Sequence, residues 1–318
     1  MNILVLGARG FIGKHLCSAL VAANHRVRGF DLQPANGNWP DIPGVEWTAG
    51  NLDHVSDVMT ALDKIDLVFH LISTTIPQTS NENPLLDLQQ NVGATLKLLE
   101  LVIKQPRKPR FIFLSSGGTI YGIPHIIPIP EEHPTDPLSA YGIAKLAIEK
   151  YLALYGYLYK LNYSILRLAN PYGEFQSHLS SQGVIAAFVH KALHHKPVEI
   201  WGDGSIVRDY LYIGDVISAM ITLIDYDGPE KIFNIGGGKG HSILELLSVI
   251  KELFQHDIAY YHLESRACDV PINVLDIKRA ASILGWKPTT PLHEGIKQVI
   301  DYQRSVDFSL NDNSSKNR

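Results

Sequence analysis

Short uninterrupted apolar runs alternate with longer stretches of helical spacing along the first half of this chain. The first run, NILVLG at 2–7, shows no polar alternation and reads as a strand covered on both faces of a parallel sheet. Residues 11–23 carry apolar positions at helical spacing and no proline. HRVRGFD (25–31) and VEWTAG (45–50) read as strands, separated by a loop at 33–44 rich in Pro, Gly and Asn. A helix at 55–64, a strand at 66–73, one long helix at 85–104, a strand at 110–116, a second long helix at about 139–161 and a strand at 163–169 complete the series. Strands and helices alternating at this spacing predict parallel βαβ units, hence an α/β fold with a Rossmann-like doubly wound parallel sheet.

Beyond about residue 170 the rhythm loosens. Helices are predicted at 183–195, 214–225, 242–255 and 291–305, and strands at 198–204 and 231–236. The predicted organisation is a dinucleotide-binding domain over 1–170 and a smaller mixed α/β substrate lobe over 171–308, with strands that intermix with the first domain. A flexible polar tail follows at 309–318.

Composition narrows the function classes. The chain has 318 residues, 45% hydrophobic and 19% charged, with a net charge of −4, as expected of a soluble globular protein. Its lysines and arginines are scattered, so no nucleic-acid partner is expected. No apolar run approaches the ~18–20 residues of a membrane span. No signal segment is visible, and the expected location is the cytoplasm. Two cysteines, Cys17 and Cys268, fit a reducing compartment. No Cys/His spacing suggests a metal, and His194-His195-Lys196 reads as a cationic helix end.

Two motifs carry the chemistry. Gly7-Ala8-Arg9-Gly10-Phe11-Ile12-Gly13 joins the first strand to the first helix. Glycines there let backbone N–H groups approach a pyrophosphate at a helix N-terminus. Asp31 ends the second strand 18 residues after Gly13. A carboxylate at that point accepts both ribose hydroxyls and repels a 2′-phosphate, which favours NAD over NADP. Arg9 and Arg28 are nearby cations that could soften this preference. Tyr141 and Lys145, four apart, share one face of the second long helix. A lysine ammonium beside a phenol, with the positive end of a bound nicotinamide, lowers the phenol pKa and yields a usable base.

With these motifs in place, the chain resembles the extended short-chain dehydrogenases/reductases, in particular the nucleotide-sugar epimerases of the UDP-glucose 4-epimerase type. The resemblance spans about residues 1–305. It rests on GARGFIG, Asp31, VFHLIS, NVGAT with Asn91, SSGGTIYG, YGIAK, LRLANPYG, GDGSIVRDYLYIGD and LGWKP. It implies NAD as cofactor, held by Gly7, Gly10, Phe11, Ile12, Gly13, Asp31, Asn51, Leu52, Leu71, Asn91 and Ser115 together with Tyr141 and Lys145. It implies a nucleotide-sugar substrate held by Asn170, Arg208, Arg266 and Asp269, with Arg208 and Asn170 on the diphosphate. It also implies a homodimer through the helices near 85–104 and 139–161. Asp215 reads as a helix cap.

The sequence departs from the family pattern at several points. Gly50-Asn51-Leu52 stands where an acid is usual, and the family's HLAA reads His70-Leu71-Ile72-Ser73. In the pattern S-S-S-A-T-V-Y-G the third serine donates to the sugar O4, and that position is Gly117. On an alternating strand end, 117 and 119 point the same way, so Thr119 is the nearest replacement. Ser116 would face the other side unless the strand has already broken. If neither serves, Tyr141 acts alone or with a water. Asn273 stands where the glucose-only members carry a tyrosine, which implies room for an N-acetyl group at C2. The implied reaction is NAD-dependent epimerisation at C4 through a 4-keto sugar. A reductase of 4-keto-6-deoxysugar nucleotides using NAD(P)H shares Tyr-Lys and is the alternative, and a non-catalytic NAD(H) sensor is a third reading.

Overall fold

Why NILVL lacks polar alternation is visible in its packing. The computed structural model describes residues 1–316 except 36, 178–182 and 266–269. In β1 (Asn2–Leu6), Ile3 and Val5 face one apolar core, and Leu4 and Leu6 face another. Helices cover both sides, so both faces of the strand must be apolar. The first core packs α1 (Phe11–Ala22) through Leu16 and Leu20. The second packs α2 (Val55–Leu62), α5 (Ala94–Ile103) and α6 (Ala140–Tyr159) through Val58, Leu98 and Ile148. Between α2 and α5 lie α3 (Pro77–Glu82) and α4 (Pro84–Asp87).

The remaining strands of this layer are β2 (Arg26–Asp31), β3 (Val45–Ala49), β4 (Leu67–His70), β5 (Arg110–Ser116) and β6 (Tyr163–Leu168). A seventh comes from the C-terminal half. With β7 (Asn170–Tyr172), β8 (Val198–Trp201) and β9 (Val207–Tyr212) intervening, β10 (Ile232–Ile235) returns to the sheet. The order is β10-β6-β5-β4-β1-β2-β3, with every pairing parallel. The strand order reverses between β1 and β4, where ligands bind in such sheets.

The smaller lobe contains α7 (Val184–Leu193), α9 (Ile243–Phe254) and α10 (Leu292–Lys316) around Phe188, Ile200, Leu246, Ile250 and Ile300. α8 (Ile213–Thr222) instead packs Val216 and Met220 into the α1 side of the main sheet. β11 (Gly240–Ser242) and β13 (Ile272–Asn273) flank β9, and β12 (Tyr260–Leu263) pairs with β8. The chain therefore crosses between layers more than once after residue 170. The pattern reading omits β7, β9, β11, β12 and β13, because two- to six-residue strands with polar positions leave no periodic trace. α10 runs to Lys316, past the start of the tail expected from residue 309.

The helix expected over 85–104 is interrupted. Leu88–Gly93 is a π-helical segment between α4 and α5. The wider turn lets the Asn91 carboxamide reach back, its Oδ1 accepting from Thr74 N (3.0 Å) and its Nδ2 donating to Asp87 Oδ1 (2.9 Å). Such bulges recur at functional sites.

One ion pair ties these layers together under the sheet's C-terminal edge. Arg167 on β6 and Glu149 on α6 are both buried and meet at 2.7 Å between Nη2 and Oε2, with Nε 3.2 Å from each carboxylate oxygen. Ser115 Oγ donates to Glu149 Oε1 at 2.5 Å, and Arg167 Nη1 donates to Tyr121 Oη and Glu131 O. Removing one partner leaves a buried charge unpaired, which costs about 3–5 kcal/mol. Arg167→Met is therefore expected to lower unfolding stability by about that amount. Denaturant melts checked against Arg167→Met/Glu149→Leu measure it, and a single variant within about 1 kcal/mol of wild type would sink the claim.

Candidate active site

The crevice opens where β1 and β4 diverge. Gly7 adopts φ +85°, and its N–H and that of Ala8 both donate to Phe30 O. A Cβ on Gly13 would sit 2.3 Å from Gly7 O and 2.7 Å from Ala8 Cα, so the helix closes on the turn only because residue 13 has no side chain. Gly10 caps α1 without a side-chain hydrogen bond, and the first turn carries no acid. The amides there keep the unpaired donors that bind a pyrophosphate. Asp31 stands beside them, its Oδ2 accepting from Arg9 N (2.9 Å) and its Oδ1 from Leu32 N (2.8 Å). This is the cradle a dinucleotide requires.

Of the two expected cations, Arg9 sends Nη1 to Leu32 O at 2.8 Å. Arg28 is committed elsewhere, pairing Glu46 and donating to the carbonyls of Thr60, Ala61 and Asp63 at the end of α2. It takes no part at the ribose end. Asn51 holds its own turn, Oδ1 accepting from Asp53 N, while Leu52 is buried. Leu71 N donates to Leu6 O, and Leu71 C lies 3.3 Å from where a Cβ on Gly7 would be, which sets the width of the crevice.

Helix α6 places Tyr141 and Lys145. Ser139 Oγ caps the helix by accepting from Gly142 N. From α3, Ser80 Oγ accepts from Tyr141 N (3.0 Å), and Asn81 Oδ1 accepts from Ala140 N (2.9 Å). A small cavity is lined by Ile72, Ser73, Asn91, Tyr141, Ala144, Lys145 and Ile148. Lys145 is buried, donates Nζ to Leu114 O at 3.0 Å, and lies 5.6 Å from the Tyr141 ring centre. Burial pushes its ammonium down to about 8, against the pull of Asp87 and Glu149.

The phenol behaves differently from the sequence expectation. Burial pushes Tyr141 up to about 12, and the groups that oppose this are hydrogen bonds to Ser116 and Ser73. The Asp87 carboxylate adds to the rise, and Lys145 is not among the groups that lower it. Thr119 is not among the tyrosine's partners, because the strand ends at Ser116 and residues 117–121 form a turn. The alternation that would aim Thr119 with residue 117 does not exist. Thr119 Oγ1 is buried without a hydrogen-bond partner among the described residues. Ser115 turns its hydroxyl away from the cavity, to Glu149.

On the substrate side, Asn170 Nδ2 donates to Asp209 O (2.9 Å), and Arg208 on β9 donates Nη1 to Val207 O and Val270 O. Asp209 is buried and accepts from the amides of Gly237, Gly238 and Leu275, joining the end of β10 to β13; burial raises its carboxyl to about 6. Asn273 is not among the residues lining the cavity at Tyr141. It is buried, with Nδ2 donating to Gly117 O at 3.1 Å. Arg266 and Asp269 lie outside the described residues. Asp215 is no helix cap: it accepts from Thr289 and Thr290 and pins that loop. Among the described residues no group of three His, Cys, Asp or Glu could hold a metal, and no helix is long and apolar enough to cross a membrane.

Asp87 carries no mark in the sequence pattern, and His70 and Thr95 enter it only inside VFHLIS and NVGAT. Asp87 is buried, accepts from Asn91, and is hydrogen-bonded by Thr75 Oγ1. His70 is buried and held neutral, its pKa pushed down to about 3 by burial and then by Lys145. Thr95 Oγ1 donates to Asn91 O (2.7 Å), so His70 Nε2 must be the donor to Thr95.

Residues 3–236 match the model of the NAD dependent epimerase/dehydratase family. A UDP-glucose 4-epimerase of Mycolicibacterium smegmatis is 33% identical over 96% of this chain and 99% of its own. The dTDP-4-dehydro-6-deoxyglucose reductase of Escherichia coli is 30% identical over 94% of this chain and 96% of its own. The crystal structure of the Thermotoga maritima UDP-glucose 4-epimerase with UDP-glucose superposes with a TM-score of 0.91 at 35% identity, covering 96% of this chain and 99% of that one.

The cradle makes a sharp expectation. Gly13→Ala forces the turn open and should weaken NAD binding at least ~10-fold in calorimetric titration. Unchanged affinity would contradict the cradle.

Proposed function

Because this chain belongs to the NAD dependent epimerase/dehydratase family, with NAD as its cofactor, we propose that it is a nucleotide-diphosphate-sugar 4-epimerase. The observation that carries the reading is the small cavity on which Tyr141, Lys145 and Asn91 converge. In this reading Tyr141 removes the O4 proton of the sugar. NAD held at the glycine turn would supply the hydride acceptor for C4, which Tyr141 and Lys145 would serve by holding and moving the O4 proton. Lys145 holds positive charge beside the phenol and fixes its own place through Leu114 O. Asn91 anchors the 74–75 turn that closes the cavity. Arg208 and Asn170 would serve the diphosphate, where a guanidinium fork matches phosphate oxygens.

The E. coli reductase relative supports one second reading, reduction of an NDP-4-keto-6-deoxysugar by the same tyrosine and lysine. A homodimer is also part of the proposal. Tyr151, Leu154 and Leu158 on α6 and Leu85, Leu86 and Leu88 beside it are exposed, whereas Tyr155 is buried with Oη 2.6 Å from Glu100.

Proton NMR with UDP-glucose, UDP-galactose, UDP-GlcNAc and UDP-GalNAc and catalytic NAD⁺ tests the reaction. Interconversion at C4 is expected, with Tyr141→Phe slower by ~10²–10⁴-fold. No interconversion, with turnover of a 4-keto-6-deoxy sugar nucleotide by NADH or NADPH, would hand the function to the reductase reading. The pH dependence has a defined sign. Lys145 is charged below about pH 8 and loses its proton above it, so kcat/KM should fall on the alkaline side. A profile still rising through pH 9 would exclude Lys145 from that role.

A further inference from the structure

The chain's only run of three glycines, Gly236-Gly237-Gly238, follows β10. Successive backbone N–H groups in such a turn form a concavity that takes an anion. Here the anion is the protein's own. Asp209 Oδ1 accepts from Gly237 N at 2.6 Å, and its Oδ2 accepts at 3.2 Å from both Gly238 N and Leu275 N, the latter just after β13. The glycines permit this approach. A Cβ on Gly236 would collide with Oδ2, and one on Gly237 would lie 2.8 Å from Tyr210 O and 3.0 Å from Oδ1. Gly238 has φ +70°. Asp209 is fully buried, and its carboxylate is met by amides rather than by a cation.

On β9 the side chains of Arg208 and Asp209 leave on opposite faces. Asp209 goes to the glycine turn. Arg208 shares its face with Tyr210, and Asn170 joins them because it pairs in register with Tyr210. The guanidinium is aimed by the approach to β13: Arg208 Nη1 donates to Val270 O at 2.6 Å. β13 itself is two residues long, with Asn273 in register with Arg208. So short a strand needs a further tether, and Leu275 N on Asp209 supplies it. The same residue holds Asn170, whose Nδ2 donates to Asp209 O at 2.9 Å. β10 belongs to the seven-stranded sheet and β9 to the four-stranded one, so Asp209 joins the cofactor layer to the substrate side. Without it, three amides would lose their acceptor.

We propose that Asp209 is the positioning residue of the substrate side, its carboxylate seated in the Gly236–Gly238 turn so that β9 and β13 present Arg208 and Asn170 to the diphosphate of a nucleotide. The inference deepens the proposed function and rests on its reading of Arg208 and Asn170 as the diphosphate groups. A carboxylate offers acceptors to all three amides. An asparagine cannot, because its NH₂ would face an N–H.

The test is calorimetric titration of the NAD-bound enzyme with UDP, with NAD affinity and melting temperature measured on the same variants. Asp209→Asn should weaken UDP binding ~10-fold or more while NAD affinity stays at the wild-type value. Asp209→Ala empties the glycine turn of its anion. Formate, which carries the missing carboxylate, should restore UDP affinity to that variant, and chloride at equal ionic strength should not. UDP bound by both variants as tightly as by wild type would overturn the inference. So would an equal loss of NAD affinity, which marks general loosening, or a folded Asp209→Ala protein that formate does not restore. If Asp209→Ala does not fold, Asp209→Asn decides alone. A wild type that binds none of UDP, CDP, GDP and dTDP refutes the diphosphate reading and this inference with it. A protein that binds UDP through Asp209 yet interconverts no nucleotide sugar refutes the proposed reaction and leaves this inference standing.

Discussion

The buried pair between Arg167 and Glu149 is the constraint from which the site is built. A guanidinium and a carboxylate taken out of water lose several kcal/mol each, and only near-complete pairing recovers it. Here the carboxylate takes three contacts from Arg167 and one from Ser115, and the remaining guanidinium donors reach Tyr121 and Glu131. Tyr121 Oη passes the network on to Asn234 on β10, whose amide nitrogen donates to Ile129 O. Four segments that bring functional groups together, the end of β5, α6, β6 and β10, thus have one geometry in which no charge is stranded. Apolar packing would hold α6 against the sheet but would let it slide. The ion pair sets its register, and with it the position of Tyr141.

A second balance governs the chemistry. A phenol near 12 is ionised at pH 7 in only about one molecule in 10⁵. The burial that shields the phenol from water is also what raises it, so the two requirements oppose each other. Positive charge near the phenol must reconcile them. Lys145 stays charged at pH 7 although buried, because Asp87 and Glu149 lie close enough to favour the ammonium. Asp87 is itself held by Thr75 and Asn91, and Asn91 takes its place from the π-helical turn. The interruption of that helix is thus part of the electrostatics of the site.

Much of this was legible in the chain before any coordinates. Seven of the strands that matter, the glycine turn and the four-residue spacing of Tyr141 and Lys145 follow from apolar runs and helical periodicity, which are local properties. What was not legible depends on contacts between distant segments. Glu149 and Arg167 look like ordinary helix and strand residues. Asp209 looks like a surface acid yet accepts from three amides, one just after β13 and two in the turn after β10. Thr119 shares a side with residue 117 only if β5 continues past Ser116, and the chain turns at 117 instead. Asn273 was read from position alone, and its burial under Gly117 required the register of β13 against β9.

The central claim is that a hydrogen leaves C4 of a nucleotide sugar and returns to it inside a cavity that water does not enter. The most direct measurement uses a nucleotide hexose carrying deuterium at C4, with mass spectrometry and NMR of the product. The account predicts that the C4 epimer retains its deuterium in full and that solvent protium never appears there. Epimer formed with loss of the label to water would contradict it.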